Sequence, residues 1–215
     1  MIDREPVNIM GVIAFPNPNK DERVIRFIDS EYHTLFTIKD GESIVITRFD
    51  GEKMVFPCKY IDDCHVCIGN SAYHICEFAE MQERNGNTYV PSAPKISDEI
   101  CTYEIYQIPA TADVDYYFQS YAAAKGKLRS ADYQRSYAGM YAKGNSLEDL
   151  WAKHNRDSRP FAHRMRSMSV SDIVVLTQVG RKTAYYADTI GFKKAPEFLA
   201  QQRAQKKHKE RGEAR

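Results

Sequence analysis

The sequence lacks the short motifs that mark the common classes of enzyme. It contains no GxGxxG, GxxxxGK[ST], HExxH or GxSxG pattern, so the usual nucleotide, zinc and hydrolase signatures are missing. Its six histidines are scattered, and none stands in a recognisable arrangement with a nucleophile. We therefore predict a protein that is not an enzyme and needs no cofactor.

Features of secreted and membrane proteins are also scarce. The chain has five cysteines, an odd number that does not suit a secreted disulfide framework. The apolar run at residues 9–15 is too short to span a membrane, and Pro16 follows it without a convincing signal-peptide cleavage site. These absences predict a cytoplasmic protein that does not interact with membranes.

What is present is an ordinary globular composition with unevenly distributed charge. Of the 215 residues, 43% are hydrophobic and 27% are charged, and the net charge is +1. Residues 1–100 carry 10 Lys/Arg and 17 Asp/Glu, a net charge of −7, whereas residues 101–215 carry a net charge of +8. This split indicates two surfaces with different partners, or simply two unremarkable domains.

Turn signals divide the front half into short alternating segments that are typical of strands. Asp50-Gly51 is the strongest signal, and Asp40-Gly41 is a second one. The predicted strands are residues 24–28, 35–38, 43–49, 54–58 and 66–68. Together they predict a small antiparallel sheet or open barrel, which needs a helix to cover its apolar face.

That helix is predicted over residues 72–84, with Ser71 as its cap and the Asn-Gly pair at 85–86 as its end. Its apolar stripe would face the sheet, and an acidic surface would face solvent. The acidic surface consists of Glu77, Glu80 and Glu83. Two interpretations stay open, because such a stripe is either a solvated face or an imitation of a row of phosphates.

Cys64 and Cys67, with Cys58, Cys76 and His74 nearby, form the one cluster that resembles a metal site. Zinc needs about four ligands that converge tetrahedrally. Strand alternation would instead point the two thiols of the Cys64–Cys67 pair to opposite faces. We therefore predict structural cysteines and no metal, with a metal site as the alternative.

The back half alternates strand and helix signals. A strand is predicted at 102–108, a helix at 113–124, a strand at 133–141, a helix at 146–155 with Ser146 and Asp149 as a weak capping box, and a hairpin at 173–177 and 183–187 followed by a helix from Pro196. The proline-containing stretch 87–98 is the predicted connector. The fold class is therefore α+β, with an acidic β-rich domain at 1–88, an α+β domain at 101–199 and a basic helical tail at 200–215.

Basic residues supply the candidate binding sites. One cluster of arginines precedes a serine-rich stretch. In one interpretation the arginines and the serine hydroxyls together bind phosphate or a carboxylate patch. In the other, the hydroxyls satisfy backbone groups where the chain enters a strand. A second set lies on the tail, where it adds nucleic-acid affinity or is simply solvated. The candidates are Arg156, Arg159, Arg164, Arg166, Arg203, Lys206, Lys207, Lys209 and Arg211. Ten of the 14 tyrosines also lie beyond residue 100, either as stacking platforms or as the rim of a core.

Several motifs in the back half resemble the YodL-like domain. They are TYEIYQI (102–108), SLEDLWAKHN (146–155), SVSDIVVL (169–176), AYYADTIGF (184–192) and APEFL (195–199). The front stretches IRFIDSEYHTLFTIKDGESI (25–44) and YHICEFAE (73–80) resemble the domain that often precedes it. Met165-Arg166 departs from the pattern, which commonly has glycine-histidine there, and the cysteines near position 64 are not part of it.

The resemblance implies a context rather than a catalytic site. YodL-like domains occur in proteins of conjugative elements and phages of Firmicutes, including large polyvalent proteins, and have no established catalytic residues. We therefore expect an accessory protein of mobile DNA that binds a host nuclease complex as an anti-CRISPR or anti-restriction factor. The alternatives are a DNA- or RNA-binding factor for transfer or replication, and an enzyme whose site the sequence hides.

Overall fold

The computed structural model describes residues 7–9, 12–14, 23–95 and 100–213, with side chains from residue 23 onward except at 209 and 211–213. Within these residues the fold is α+β with antiparallel sheets, as predicted. Two short strands, β1 (Val7–Ile9) and β2 (Val12–Ala14), pair with each other ahead of the first larger unit.

The front unit consists of a two-stranded ribbon and a five-stranded sheet. Its strands are β3 (Val24–Ile28), β4 (Thr34–Lys39), β5 (Ser43–Thr47), β6 (Lys53–Tyr60), β7 (His65–Ile68), β8 (Ser71–His74) and β9 (Thr88–Pro91). The ribbon is β3-β4, and the sheet has the order β8-β7-β6-β5-β9. All five predicted strands are confirmed, whereas the open barrel is not confirmed.

Helix α1 (Ile75–Arg84) covers this unit but begins later than predicted. Residues 71–74 form β8, because their backbone pairs with β7 across the turn at Gly69 (φ +60°). The cap is consequently His74, whose Nδ1 accepts from the Cys76 N–H at 3.3 Å, and not Ser71. The predicted end is confirmed, since Gly86 follows the cap residue in a left-handed conformation (φ +63°).

The front core lies between the sheet, the ribbon and α1. Phe27 and Phe36 stack at 4.9 Å between ring centroids, and Phe78 from α1 meets Tyr89 edge-on at 5.0 Å. All four rings are buried. Burial of such aromatic side chains is the main source of stability for a sheet of short strands.

The predicted connector is shorter in the structure. Residues 88–91 form β9, which pairs with β5 (Val45↔Val90), so the front unit extends to Pro91. Pro91 lies at the end of an edge strand, where the missing N–H is tolerated.

The second unit is built on a five-stranded antiparallel sheet with the order β11-β10-β12-β13-β14. Its strands are β10 (Cys101–Gln107), β11 (Gln134–Met140), β12 (Ile173–Gln178), β13 (Arg181–Ala187) and β14 (Phe192–Lys194). The β12-β13 hairpin is confirmed, with Val179 (φ +45°) and Gly180 (φ +75°) at its turn. Both residues have positive φ, as a two-residue hairpin turn of type I′ requires.

Two of its helices follow the sequence prediction. Helix α3 (Leu147–Asn155) begins at the capping box of Ser146 and Asp149. The last helix, Pro196–Glu213, begins at the predicted proline. A short helix before them, α2 (Tyr121–Ala124), covers only the end of the helix predicted at 113–124. The last helix, Pro196–Glu213, is α4.

The remainder of the predicted helix at 113–124 is a loop. Phe118 has a φ of +59°, which no right-handed helix allows, and its N–H donates to Ser171 Oγ at 3.3 Å. Tyr186 donates its hydroxyl to the carbonyl oxygen of Gln119 at 2.7 Å. Contacts with distant strands therefore override the local helical spacing.

The second sheet is covered on both faces. On one face Val175, Ala184 and Tyr186 pack under Phe198 of α4. On the other face the core contains Leu150 of α3 and residues of the segment that follows it. The sheet is thus buried on two sides, which explains why Ile173, Val174 and Val175 read as a continuous apolar run.

The two units are packed against each other. Met140 at the end of β11 belongs to the front core, and Phe49 of the front unit packs against Phe161 with ring centroids 5.0 Å apart. Arg135 of β11 also donates to the carbonyl oxygen of Phe49. In the described ranges no helix has both the length and the apolar content needed to cross a membrane.

Candidate functional site

Residues predicted separately as basic and acidic candidates line one groove where the two units meet. Arg156 and Arg159, which follow α3, lie on one side, and Glu80 and Glu83 of α1 lie on the other. The cavity is about 520 Å³. Its lining is completed by Ser30, Glu31, Arg84, Ser158 and Pro160. We call it the junction groove.

Two ion pairs join the units at the junction groove. Arg156 lies 3.3 Å from Glu31, and both side chains are partly exposed. Lys153 of α3 pairs with Glu83, and here both side chains are largely buried. Part of the charge difference between the two halves is therefore used inside the chain to hold them together.

The prediction that Glu83 belongs to a solvent-facing acidic surface is wrong. Its side chain is only 16% exposed and pairs with Lys153 of α3. Glu77 and Glu80 are exposed, as predicted. The acidic surface on α1 is consequently smaller than the sequence indicated.

Two polar atoms of the junction groove are buried without a hydrogen-bond partner in the part of the chain that the structure describes. They are the Nε of Arg159 and the Oγ of Ser30. Leaving a donor of a charged group unsatisfied is costly. Both atoms have almost no accessible surface, so they lie behind the surface of the groove and are not presented to its interior.

Arg164 lines a second depression of about 340 Å³, beside the first. Its guanidinium lies over the Phe161 ring, 5.9 Å from the centroid, and His163 meets the same ring edge-on at 5.0 Å. Phe49 and Asn85 line the opposite side. We call this the aromatic depression.

Arg166 is turned away from both depressions and is engaged within the chain. Its guanidinium contacts Asp172 at 2.5 and 3.0 Å and Ser169 Oγ at 2.6 Å. Asp172 is buried, and burial raises the pKa of its carboxyl while Arg166 and Gln107 oppose that shift. The arrangement favours the alternative in which this motif stabilises the chain where it enters β12.

The basic residues of the tail lie on α4, on the face of the second sheet opposite the junction groove. Arg203, Lys206 and Lys207 are exposed, and Lys206 lies 3.9 Å from Glu210. The side chains of the remaining two candidates, Lys209 and Arg211, lie outside the described residues. Helix α4 thus presents a basic surface that is separate from the groove.

The cysteines are all free thiols. Burial raises the pKa of Cys58 to about 12, and burial also raises the pKa of Cys64 and Cys76. No three His, Cys, Asp or Glu side chains within the described ranges are arranged to hold a metal ion. The raised pKa makes Cys58, Cys64 and Cys76 poor nucleophiles at neutral pH.

Sequence reasoning missed a buried polar cluster behind the groove. His154 of α3 accepts from or donates to the Tyr103 hydroxyl through Nε2 at 2.8 Å, while its Nδ1 and the Tyr137 hydroxyl have no partner among the described residues. Burial lowers the pKa of His154 to about 3, with Lys153 and Arg156 adding to the effect. His154 lies in the helix predicted at 146–155, but no local pattern in the sequence indicated that Tyr103 and Tyr137 would pack around it.

Those tyrosines belong to the core. Six of the ten beyond residue 100 are buried and the other four are half-buried. The buried ones are Tyr103, Tyr116, Tyr133, Tyr137, Tyr141 and Tyr186. The core interpretation therefore accounts for most of them.

Comparison with known proteins agrees with the motifs of the back half. Residues 102–198 match the family model described as the YodL-like domain. No curated protein and no solved structure matches the chain. The matched range runs from β10 to the first turn of α4, and the second unit of this chain is therefore similar to the YodL-like domain.

Proposed function

We propose that this protein is a non-enzymatic accessory factor of a mobile genetic element that binds a host nuclease complex and inhibits it. In this proposal it acts against a CRISPR or restriction system, in the cytoplasm of a Firmicutes host. The YodL-like second unit supports the mobile-element context. The front unit would be the domain that often precedes it.

The observation that carries the proposal is the exposed charge of both signs on separate units. Glu77 and Glu80 project from α1, and a set of basic residues projects from α4. Neither group is used by the ion pairs that join the units. A nuclease complex presents basic surfaces for nucleic acid and the acidic nucleic acid itself, so it offers both complementary charges.

Co-purification and cleavage assays test this proposal. The chain is mixed with CRISPR and restriction nucleases of Firmicutes, and binding and DNA cleavage are measured. We expect binding and inhibition, with weaker inhibition when Glu77 and Glu80 are both replaced by Lys. If no nuclease is bound or inhibited, the proposal fails.

The second candidate function is a DNA- or RNA-binding factor for conjugative transfer or replication. The basic surface of α4 favours it, because exposed Lys and Arg on one helix are the footprint of phosphate binding. It predicts an affinity that falls steeply with salt. Replacing Arg203, Lys206 and Lys207 by Gln should reduce the slope of log K against log salt by about 0.7–0.9 for each lost phosphate contact. Salt-independent or absent binding would reject it.

A further inference from the structure

The β12-β13 hairpin extends past the core that covers one face of the second sheet. On this face β12 contributes Val174, Leu176 and Gln178, which are buried, half-buried and exposed in that order. Val174 belongs to the core that contains Leu150 of α3, and Leu176 lies at the margin of that core. Toward its tip the hairpin therefore presents an open face.

The open face forms a depression of about 500 Å³ at the tip of the hairpin. Its lining combines apolar and aromatic side chains with polar ones and contains a single charged residue. The lining residues are Leu176, Gln178, Val179, Arg181, Thr183 and Tyr185. We call it the hairpin depression.

Val179 is unfavourable for the fold in two ways. Its φ of +45° lies in a region that β-branched residues rarely adopt, and a type I′ turn prefers Asn, Asp or Gly at this position. Its apolar side chain is also 59% exposed. Backbone outliers of this kind concentrate at functional sites. A partner that covered Val179 would gain the free energy of burying it.

The charge of the hairpin depression is positive and is not balanced within the chain. Arg181 is exposed and forms no ion pair within the described ranges. The adjacent Lys182 lies on the opposite face, where it pairs with Glu104 at 2.8 Å. Strands β13 and β14 together carry four Lys or Arg and no Asp or Glu. A carboxylate from a partner would therefore pair with Arg181 without displacing an internal partner.

We propose that the hairpin depression binds an acidic segment of a partner protein. An Asp or Glu of the segment pairs with Arg181, and a neighbouring apolar side chain packs against Leu176 and Val179. A protein segment suits this lining better than a nucleic acid, because aliphatic side chains offer no plane on which bases stack. The site shares no residue with the junction groove or with α4, and it does not depend on inhibition of a nuclease.

Selection from a library of random peptides displayed on phage tests the proposal, with the full chain immobilised as bait. We expect enriched sequences that contain Asp or Glu beside Leu, Ile, Val or Phe. The most enriched peptide is then synthesised, and its affinity for the full chain is measured by fluorescence polarisation. We expect the affinity to fall as salt rises, because the ion pair with Arg181 forms at the surface.

Two variants and one matched control locate the site. Arg181→Gln should weaken peptide binding about tenfold. Lys182→Gln removes the same charge one residue away, on the opposite face, and should leave binding unchanged. Val179→Asn should also weaken binding about tenfold, while its urea unfolding midpoint rises because Asn suits the turn. Weaker binding by a more stable variant does not arise from misfolding.

Three results would overturn the proposal. The first is that no acidic sequence is enriched. The second is that Arg181→Gln or Val179→Asn binds the peptide as tightly as the wild type, or that Val179→Asn unfolds at lower urea than the wild type. The third is a different occupant, shown by a dimer in sedimentation velocity that Arg181→Gln dissociates or by a single-stranded oligonucleotide that displaces the peptide.

Discussion

The buried His154 makes the stability of the fold depend on pH in a way that can be calculated. Its pKa is lowered to about 3, chiefly by burial, whereas an unfolded chain has an imidazole pKa of about 6.5. As the pH falls, the unfolded state therefore binds the proton first. The stability that this histidine contributes is fully present above about pH 6.5 and is lost progressively as the pH falls toward 3.

The size of the effect follows from the shift. Each pKa unit corresponds to about 1.4 kcal/mol, so the wild type should lose about 1.4 kcal/mol between pH 7.5 and 5.5 through His154 alone. His154→Gln removes the titrating group and keeps a polar side chain beside Tyr103. We expect the variant to be less stable at pH 7.5, and the gap to shrink by about 1.4 kcal/mol at pH 5.5.

The free energies of unfolding of the wild type and of His154→Gln are measured at each pH by urea unfolding followed by circular dichroism. Comparing variant and wild type at each pH cancels the carboxylates, which titrate in both. His208→Gln, which removes an exposed histidine on α4, is the matched control and should show no such change. A gap that stays constant between the two pH values would refute the assignment of His154 as a neutral, buried group.

Three further predictions concern the free energy of unfolding, again measured in urea. Arg166→Met leaves the buried Asp172 without its cation and should lower the free energy of unfolding by about 3–5 kcal/mol. Little change would show that the Arg166–Asp172 ion pair does not stabilise the fold. Gly139→Ala places a Cβ 2.6 Å from a tyrosine ring and should cost about 1–3 kcal/mol, whereas Gly126→Ala meets nothing within 4 Å and is the control. Ser146→Ala removes the capping box of α3 and should lower the free energy of unfolding by about 1 kcal/mol. An unchanged free energy of unfolding would show that the capping box does not stabilise the fold.

Elements with strong local signals could be predicted from the sequence. The turn at Val179-Gly180 determines where the hairpin reverses, and Pro196 determines where α4 begins. The Ser146 capping box likewise determines where α3 begins. Elements that depend on distant partners could not be predicted. The segment at 71–74 and strand β9 exist because they pair with neighbouring strands, and the loop around Phe118 is held by the residues it covers.

The candidate site was only partly predictable for the same reason. The sequence identified Arg156 and Arg159 as one group and Glu80 and Glu83 as another, but nothing local indicated that they meet in a single groove. The opposite charges of the two halves suggested separate partners. The structure shows that some of these charges are each other's partners, as in the pair of Glu83 and Lys153.

The central claim is that this chain acts by binding a nuclease complex, and protection of DNA inside a cell tests it most directly. Plasmid transformation is measured in Firmicutes strains with active CRISPR or restriction systems, with and without expression of the chain. We predict that transformation of a targeted plasmid rises toward that of an untargeted plasmid in at least one strain. Unchanged transformation in every strain, with the protein expressed and folded, would contradict the claim.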